Sequence, residues 1–163
     1  MEQHHASHNM SNAPGTYALI LHASQALPPI TIGKLGKLPI TPGYYVYIGS
    51  AFGSGGVRAR VAHHCRTSHK PRWHIDYLRA QLELIEIWYT HDPRPREAEW
   101  VTYLQAMAGV FQPMRGFGAS DSRHTSHLFH SNKRPTVELF REMLHNDVSE
   151  VHVIVADCQA FEK

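Results

Sequence analysis

The chain has 163 residues, 42% of them apolar, which suits one domain with a real core and is too short for two full ones. Sixteen Lys and Arg against fourteen Asp and Glu leave a net charge of +2, which excludes a histone-like polycation but not a local basic face. No run approaches the roughly 18 apolar residues of a spanning helix, and the N-terminal stretch has no apolar signal core, so a soluble cytoplasmic protein is expected. Fourteen His would add roughly seven positive charges near pH 6.5 if exposed, favouring an anionic partner in mild acid. Cys65 and Cys158 form no C-x-x-C pair and cannot frame a disulfide-rich secreted fold, so a reducing compartment is the default.

Residues 1–14 read as a flexible tail and 15–163 as a single domain. Thr16-Tyr17-Ala18-Leu19-Ile20-Leu21 is rich in strand formers. A looped or hairpin insert follows, from Ile30 to Thr41, carrying Lys34 and Lys37 between glycines. The Pro42-Gly43 turn signal leads into a second strand, Tyr44 to Ile48. Gly53, Gly55 and Gly56 then precede a helix from about Val57, with Val57, Val61 and Cys65 as its apolar stripe. A short helix is predicted over Trp73–Arg79, a strand over Leu82–Tyr89 and a helix over Arg96–Met107. The remainder is a Gly-rich loop at Arg115–Ser122, a short segment at Leu128-Phe129, a helix after Pro135 and a strand at Val151–Val155. The sum is a small α/β (α+β) domain: a mixed or antiparallel central sheet with helices packed on it.

Two strands each place a Tyr near a Gly: Gly15-Thr16-Tyr17 and Tyr47-Ile48-Gly49. If they are neighbours, the phenols can share one face. Arg60 and His64 are one helical turn apart, so they project from the same side. An Arg fork holds phosphate through two hydrogen bonds, and a His moves a proton near neutral pH.

G-x-Y, then Y-I-G, then R-x-x-x-H on a helix resembles the GIY-YIG nuclease superfamily. Gly49-Ser50-Ala51, Gly55-Gly56, Trp73-His74-Ile75-Asp76-Tyr77-Leu78, Phe117-Gly118-Ala119-Ser120-Asp121 and Ser126-His127-Leu128-Phe129 are similar to one branch of it, sometimes fused to endonuclease III-type repair glycosylases. The resemblance covers roughly Gly15 to His130. It implies divalent-metal-dependent cleavage of DNA, with Mg²⁺ or Mn²⁺ as cofactor, in a repair setting that includes other repair proteins. It implies Tyr17 as the base or its helper, Tyr47 in support, and Gly49 permitting close approach of backbone or substrate. Arg60 would steady the charge at phosphorus, His64 would hydrogen-bond in the centre, and Glu97 would hold the metal, with Glu99 as fallback. One carboxylate with waters and phosphate oxygens suits Mg²⁺. Three features depart from the pattern: the long insert between the Tyr motifs, Ser122 and His124 where the branch often has Cys, and no clear site Asn beyond Asn132.

Other residues carry rival readings. His124, His127 and His130, with Asp121 before them, would form a zinc site if the segment were helical. His74 is either a wall of the active groove or part of a packing helix whose Asp76 caps or pairs with an Arg. Lys34, Lys37, Arg58, Arg66, Lys70 and Arg72, with Tyr44, Tyr45 and Trp73, suggest a basic groove with stacking aromatics, or ordinary solvated charge. The leading expectation is a metal-dependent DNA endonuclease. The alternatives are a non-catalytic nucleic-acid-binding module with the same fold and a zinc-stabilised interaction domain.

Overall fold

Apolar side chains on both sides of one strand mean that both faces of that strand are covered, and β1 (Gly15–Ala23) is such a strand, buried along almost its whole length. In the computed structural model, which describes residues 10–67, 70–119, 126–145 and 153–161, β1 lies inside a six-stranded sheet. Its companions are β4 (Gly43–Ala51), β5 (Glu83–Thr90), β6 (Val110–Phe111), β7 (Leu128–Ser131) and β8 (Ile154–Ala156), in the order β6-β7-β4-β1-β5-β8. Every pairing is antiparallel, so of the two expected sheet types the antiparallel one is found.

Strand alternation divides the core in two. Tyr17, Leu19, Leu21, Tyr45, Tyr47 and Ile87 face one side and pack with Val57 and Val61 of α1 (Gly56–Cys65) and Ile75 and Leu78 of α2 (His74–Arg79). Ala18, Ile20, Val46, Ile48 and Trp88 face the other side. There they meet Trp100 and Leu104 of α3 (Glu97–Gln105) and Phe140 and Leu144 of α4 (Val137–His145). Each fully buried Leu, Ile or Phe contributes roughly 1.5–3 kcal/mol, so these two layers supply most of the stabilisation.

The insert between the Tyr motifs is a hairpin. Strands β2 (Leu27–Ile32) and β3 (Gly36–Ile40) form their own two-stranded sheet, with Gly33 at positive φ in the turn. Ile32, Leu38 and Ile40 are buried against the α1/α2 side of the core, while Lys34 and Lys37 are exposed. Residues 10–14, read from the sequence as the end of a tail, belong to the packed domain. Met10 is buried, and the carbonyls of Ala13 and Ser11 accept the N–H groups of Val57 and Arg58, two otherwise orphan donors at the start of α1. Gly56 permits this approach: a Cβ there would lie 2.0 Å from the Asn12 carbonyl oxygen, and its φ is +61°. Residues 1–9 lie outside the described residues, as does the beginning of the strand expected at Val151–Val155.

Cys65, at the end of α1, is joined by a disulfide to Cys158, which opens a 3-10 helix (Cys158–Phe161) after β8. The expectation of two thiols in a reducing compartment did not foresee this bond. Its two ends are 93 residues apart, and only the fold brings them together. No helix among the described residues is long and apolar enough to cross a membrane. Closing so long a loop restricts the unfolded chain strongly. Reduction, or Cys158→Ser, is expected to lower unfolding free energy by about 2–5 kcal/mol, read as a fall in the denaturant midpoint without loss of the native circular-dichroism spectrum.

Candidate active site

The register of β1 on β4 sets Tyr17 opposite Gly49, and Leu19 opposite Tyr47. Tyr17 and Tyr47 therefore share a face as diagonal neighbours, with ring centroids 6.5 Å apart. The glycine is required by the tyrosine: a Cβ on Gly49 would lie 2.4 Å from Cζ and Oη of Tyr17. Gly15 is equally constrained, since a Cβ there would meet the Thr90 carbonyl oxygen at 2.0 Å.

Helix α1 crosses this patch. His64, fully buried, places Nε2 2.7 Å from the Tyr17 hydroxyl. Arg60, one turn earlier, donates from Nη1 to the Ser50 carbonyl at 3.1 Å. Its guanidinium lies 4.4 Å from the centre of the Trp73 ring, and that of Arg72 lies 4.9 Å from it. Burial pushes the Tyr17 phenol well above its ordinary pKa, and the charges of Tyr47 and Glu97 add to this against the opposing pull of Arg60. Burial raises Tyr47 as well, again reinforced by Glu97. Both phenols stay protonated through the neutral range.

Glu97 comes from the other side of the sheet. Helix α3 starts where the Arg96 N–H donates to Thr16 Oγ1, and the buried Arg96 guanidinium holds Asp92 and Glu99 at 2.7 and 3.0 Å. Glu99, the fallback metal ligand, is thereby committed to Arg96. Glu97 is turned to the end of β4, where Oε2 accepts from the Ser50 hydroxyl and Oε1 lies 3.2 Å from His127 Nδ1. Ser50 is the junction: its carbonyl takes Arg60 from one face and its hydroxyl takes Glu97 from the other. Tyr17, Tyr47, Arg60, His64 and Glu97 are thus brought to one end of the sheet.

The donor set can be tested against a divalent cation. Glu97 is a hard oxygen ligand with a side chain 29% exposed, and it is not part of the group His63, His64 and Asp76, whose donor atoms cluster within 4.8 Å of one another. A lone carboxylate at an accessible edge fits Mg²⁺, which keeps several of its waters, better than it fits zinc.

Ser50 and His127 are the site residues that sequence reasoning missed. Ser50 stood in the motif Gly49-Ser50-Ala51 without a role, and His127 was weighed only for zinc. That zinc reading is corrected. His127 and His130 lie on and beside an extended strand rather than a helix, and His130 Nε2 instead lies 3.1 Å from the Thr41 hydroxyl and the Pro42 carbonyl. His124 and Asp121 lie outside the described residues. Asn132 is exposed beyond the Tyr44 end of β4, five residues from Gly49, which is about 16 Å along a strand.

The remaining candidates divide. Arg72 shares Trp73 with Arg60 and belongs beside the site. Arg66 and Lys70 are exposed on the segment linking α1 to α2. Arg58 is about 200° round the helix from Arg60 and stacks on Phe161, so it faces away. Lys34 and Lys37 are exposed on the hairpin, whose Gly33 abuts Tyr77 of α2. His74 accepts the Gly118 N–H at 2.9 Å on Nδ1, and burial lowers its pKa, so it is a neutral packing group against Phe117. Asp76 does cap α2, but the side chain that meets its carboxylate is His63 rather than an Arg. A concavity of about 310 Å³ lined by His22, Gln25 and Gln81 lies at the opposite end of β1 and holds none of these residues.

Two outcomes follow from the geometry. Gly49→Ala is expected to displace the Tyr17 ring and lower the melting temperature, whereas Gly53→Ala, whose Cβ meets nothing within 4 Å, leaves it unchanged. The raised phenol pKa values stabilise the fold below pH 10, and this is lost as pH rises past the unfolded value. In an absorbance titration, Tyr17→Phe and Tyr47→Phe are therefore expected to leave the folded protein's phenolate signal up to about pH 10 unchanged.

Comparison with known proteins agrees with this architecture in extent. No curated protein and no solved structure matches the chain. One family model does, over residues 16–149, which takes in Tyr17, the Tyr47-Ile48-Gly49 motif, α1, α2, α3 and β7. The chain belongs to the family described as Domain of unknown function DUF123.

Proposed function

We propose that this protein is a GIY-YIG-type endonuclease that hydrolyses DNA phosphodiester bonds with a divalent cation, Mg²⁺ or Mn²⁺. The observation that carries the reading is the meeting of Arg60 and Glu97 on Ser50, beside the Tyr17–Tyr47 pair. Phosphodiester hydrolysis needs positive charge at the phosphoryl oxygens, a ligand for the cation and a group that orients water. Arg60 has five N–H donors, more than the Ser50 carbonyl uses, and bracing against Trp73 fixes its plane. Glu97 would hold the cation, which supplies charge neutralisation at phosphorus when bound. Tyr17 and Tyr47, kept protonated, orient water and phosphate oxygens through their hydroxyls. Arg66, Lys70 and Arg72 border this end of α1 and α2 and would meet the phosphate backbone, so binding depends on shape and charge more than on base sequence. DNA repair in the cytoplasm, alongside other repair proteins, is the setting this reading implies.

A non-catalytic nucleic-acid-binding module is the second reading, and one observation favours it. Both Glu97 oxygens are already engaged, by Ser50 and His127.

Supercoiled plasmid and branched DNA, incubated with the full chain with Mg²⁺ or with EDTA, separate the two. The expected result is nicking only with metal, falling at least about 100-fold in Arg60→Ala and Glu97→Gln, with native spectra retained. Salt-sensitive binding without cleavage selects the binding module. Undiminished cleavage by both variants removes these residues from the mechanism.

A further inference from the structure

We infer that Asp76 is a positioning residue in a proton relay, Asp76–His64–Tyr17, in which His64 takes the phenol proton while Tyr17 receives one from the attacking water. The reaction rests on the nuclease reading above; the array rests on its own geometry. His64 lies between the other two groups, with Nε2 2.7 Å from the Tyr17 hydroxyl and Nδ1 3.9 Å from Asp76 Oδ1, an ion-pair distance longer than a hydrogen bond. The side chains of His64 and Asp76 are each only 1% exposed, so water screens this pair little.

Capping alone does not account for Asp76. Its Oδ2 accepts the backbone N–H groups of Arg72 and Trp73 at 2.8 and 3.1 Å, which is the cap. His63 Nε2 lies 3.1 Å from Oδ1 and 3.2 Å from Oδ2, and Oδ1 also faces the His64 imidazole beyond. A cap serves equally well at the surface, yet this carboxylate is buried. Burial alone would raise its pKa; the two backbone N–H groups and His63 more than offset that and hold it below the ordinary carboxylate value. Asp76 is therefore ionised through the neutral range. His64 is faced by Tyr17 and Tyr47 from the sheet, by Asp76 and Trp73 from the α2 side and by His63 on its own helix. Arg60 stands one turn away, and Arg79 donates to the His64 carbonyl. Asp76 is the one carboxylate in that set, so it is the group that can stabilise an imidazolium at His64.

As the water oxygen bonds to phosphorus, its proton passes to Tyr17 Oη and the Tyr17 proton passes to His64 Nε2. The bond from phosphorus to the leaving sugar oxygen breaks, and that oxygen takes a proton from solvent. The His64 proton then returns to solvent through Tyr17. No free phenolate forms, which suits a phenol that burial makes a weak acid.

The test uses ring-nitrogen NMR of the full chain together with single-turnover cleavage. In the wild type, His64 is expected to carry its neutral-state proton on Nδ1, and Tyr17→Phe should shift its Nε2 resonance. Asp76→Asn, which keeps an oxygen for the cap, is expected to lower the His64 pKa by at least about one unit. Cleavage should fall about 10–100-fold in that variant with unchanged DNA affinity, and the acidic limb of the rate profile should move to lower pH. A merely structural role would lower the melting temperature without moving that limb. A His64 pKa unchanged in Asp76→Asn, a neutral proton on Nε2, or one equivalent of zinc held by His63, His64 and Asp76 would each overturn the relay. If the NMR shifts occur but the wild type never cuts DNA, the nuclease reading fails while the coupled array stands.

Discussion

Everything at the candidate site depends on one steric fact, the passage of the Tyr17 ring over a residue with no side chain. With Gly49 as its cross-strand partner, the phenol lies flat along the sheet instead of standing off it. That leaves room for α1 to approach closely enough to place His64 against the hydroxyl. A single methyl group at position 49 would separate strand from helix. The glycines of the two Tyr motifs are thus packing requirements of the tyrosines and of the Thr90 carbonyl. They are not hinges.

The second organising feature is that the site wraps around the end of a strand. The phenols and α1 belong to one face, and α3 belongs to the other. Side chains from opposite faces of a sheet meet only where a strand stops, and β4 ends at Ala51, one residue after Ser50. A cation on Arg60 and an anion on Glu97 are held in register by opposite ends of the same residue. Thr16 completes the arrangement from the neighbouring strand by fixing the first turn of α3.

Local pattern made the strands and helices legible. Strand formers gave β1 and β4, the four-residue stripe gave α1, and paired prolines marked the approach to α3. The five principal site residues were legible because the motif resemblance names them, and their convergence could be anticipated as far as Tyr17 and Tyr47 sharing a face and Arg60 and His64 projecting toward it from one side of a helix; the arrival of Glu97 from the other face of the sheet could not. What was not legible depends on contacts between distant segments. Asp76 was read as a cap, which it is, but nothing local announces that its other oxygen faces His63 and His64 across a helix junction. His127 looked like one of three evenly spaced imidazoles; it stands just before an extended strand rather than on a helix, and it meets Glu97. Arg58 and Arg60 looked alike as neighbouring cations, yet helical geometry sends one to Phe161 and the other to Ser50.

The bond between Cys65 and Cys158 also changes the topology of the chain. It turns α2, β5, α3, β6, β7, α4 and β8 into one covalent ring, closed next to His64. A protease cutting once anywhere in that ring would leave a species of unchanged mass apart from one added water, with its two pieces still tied together. Only after a thiol reagent opens the link would the fragments separate, so a nicked preparation would pass for intact on a non-reducing gel.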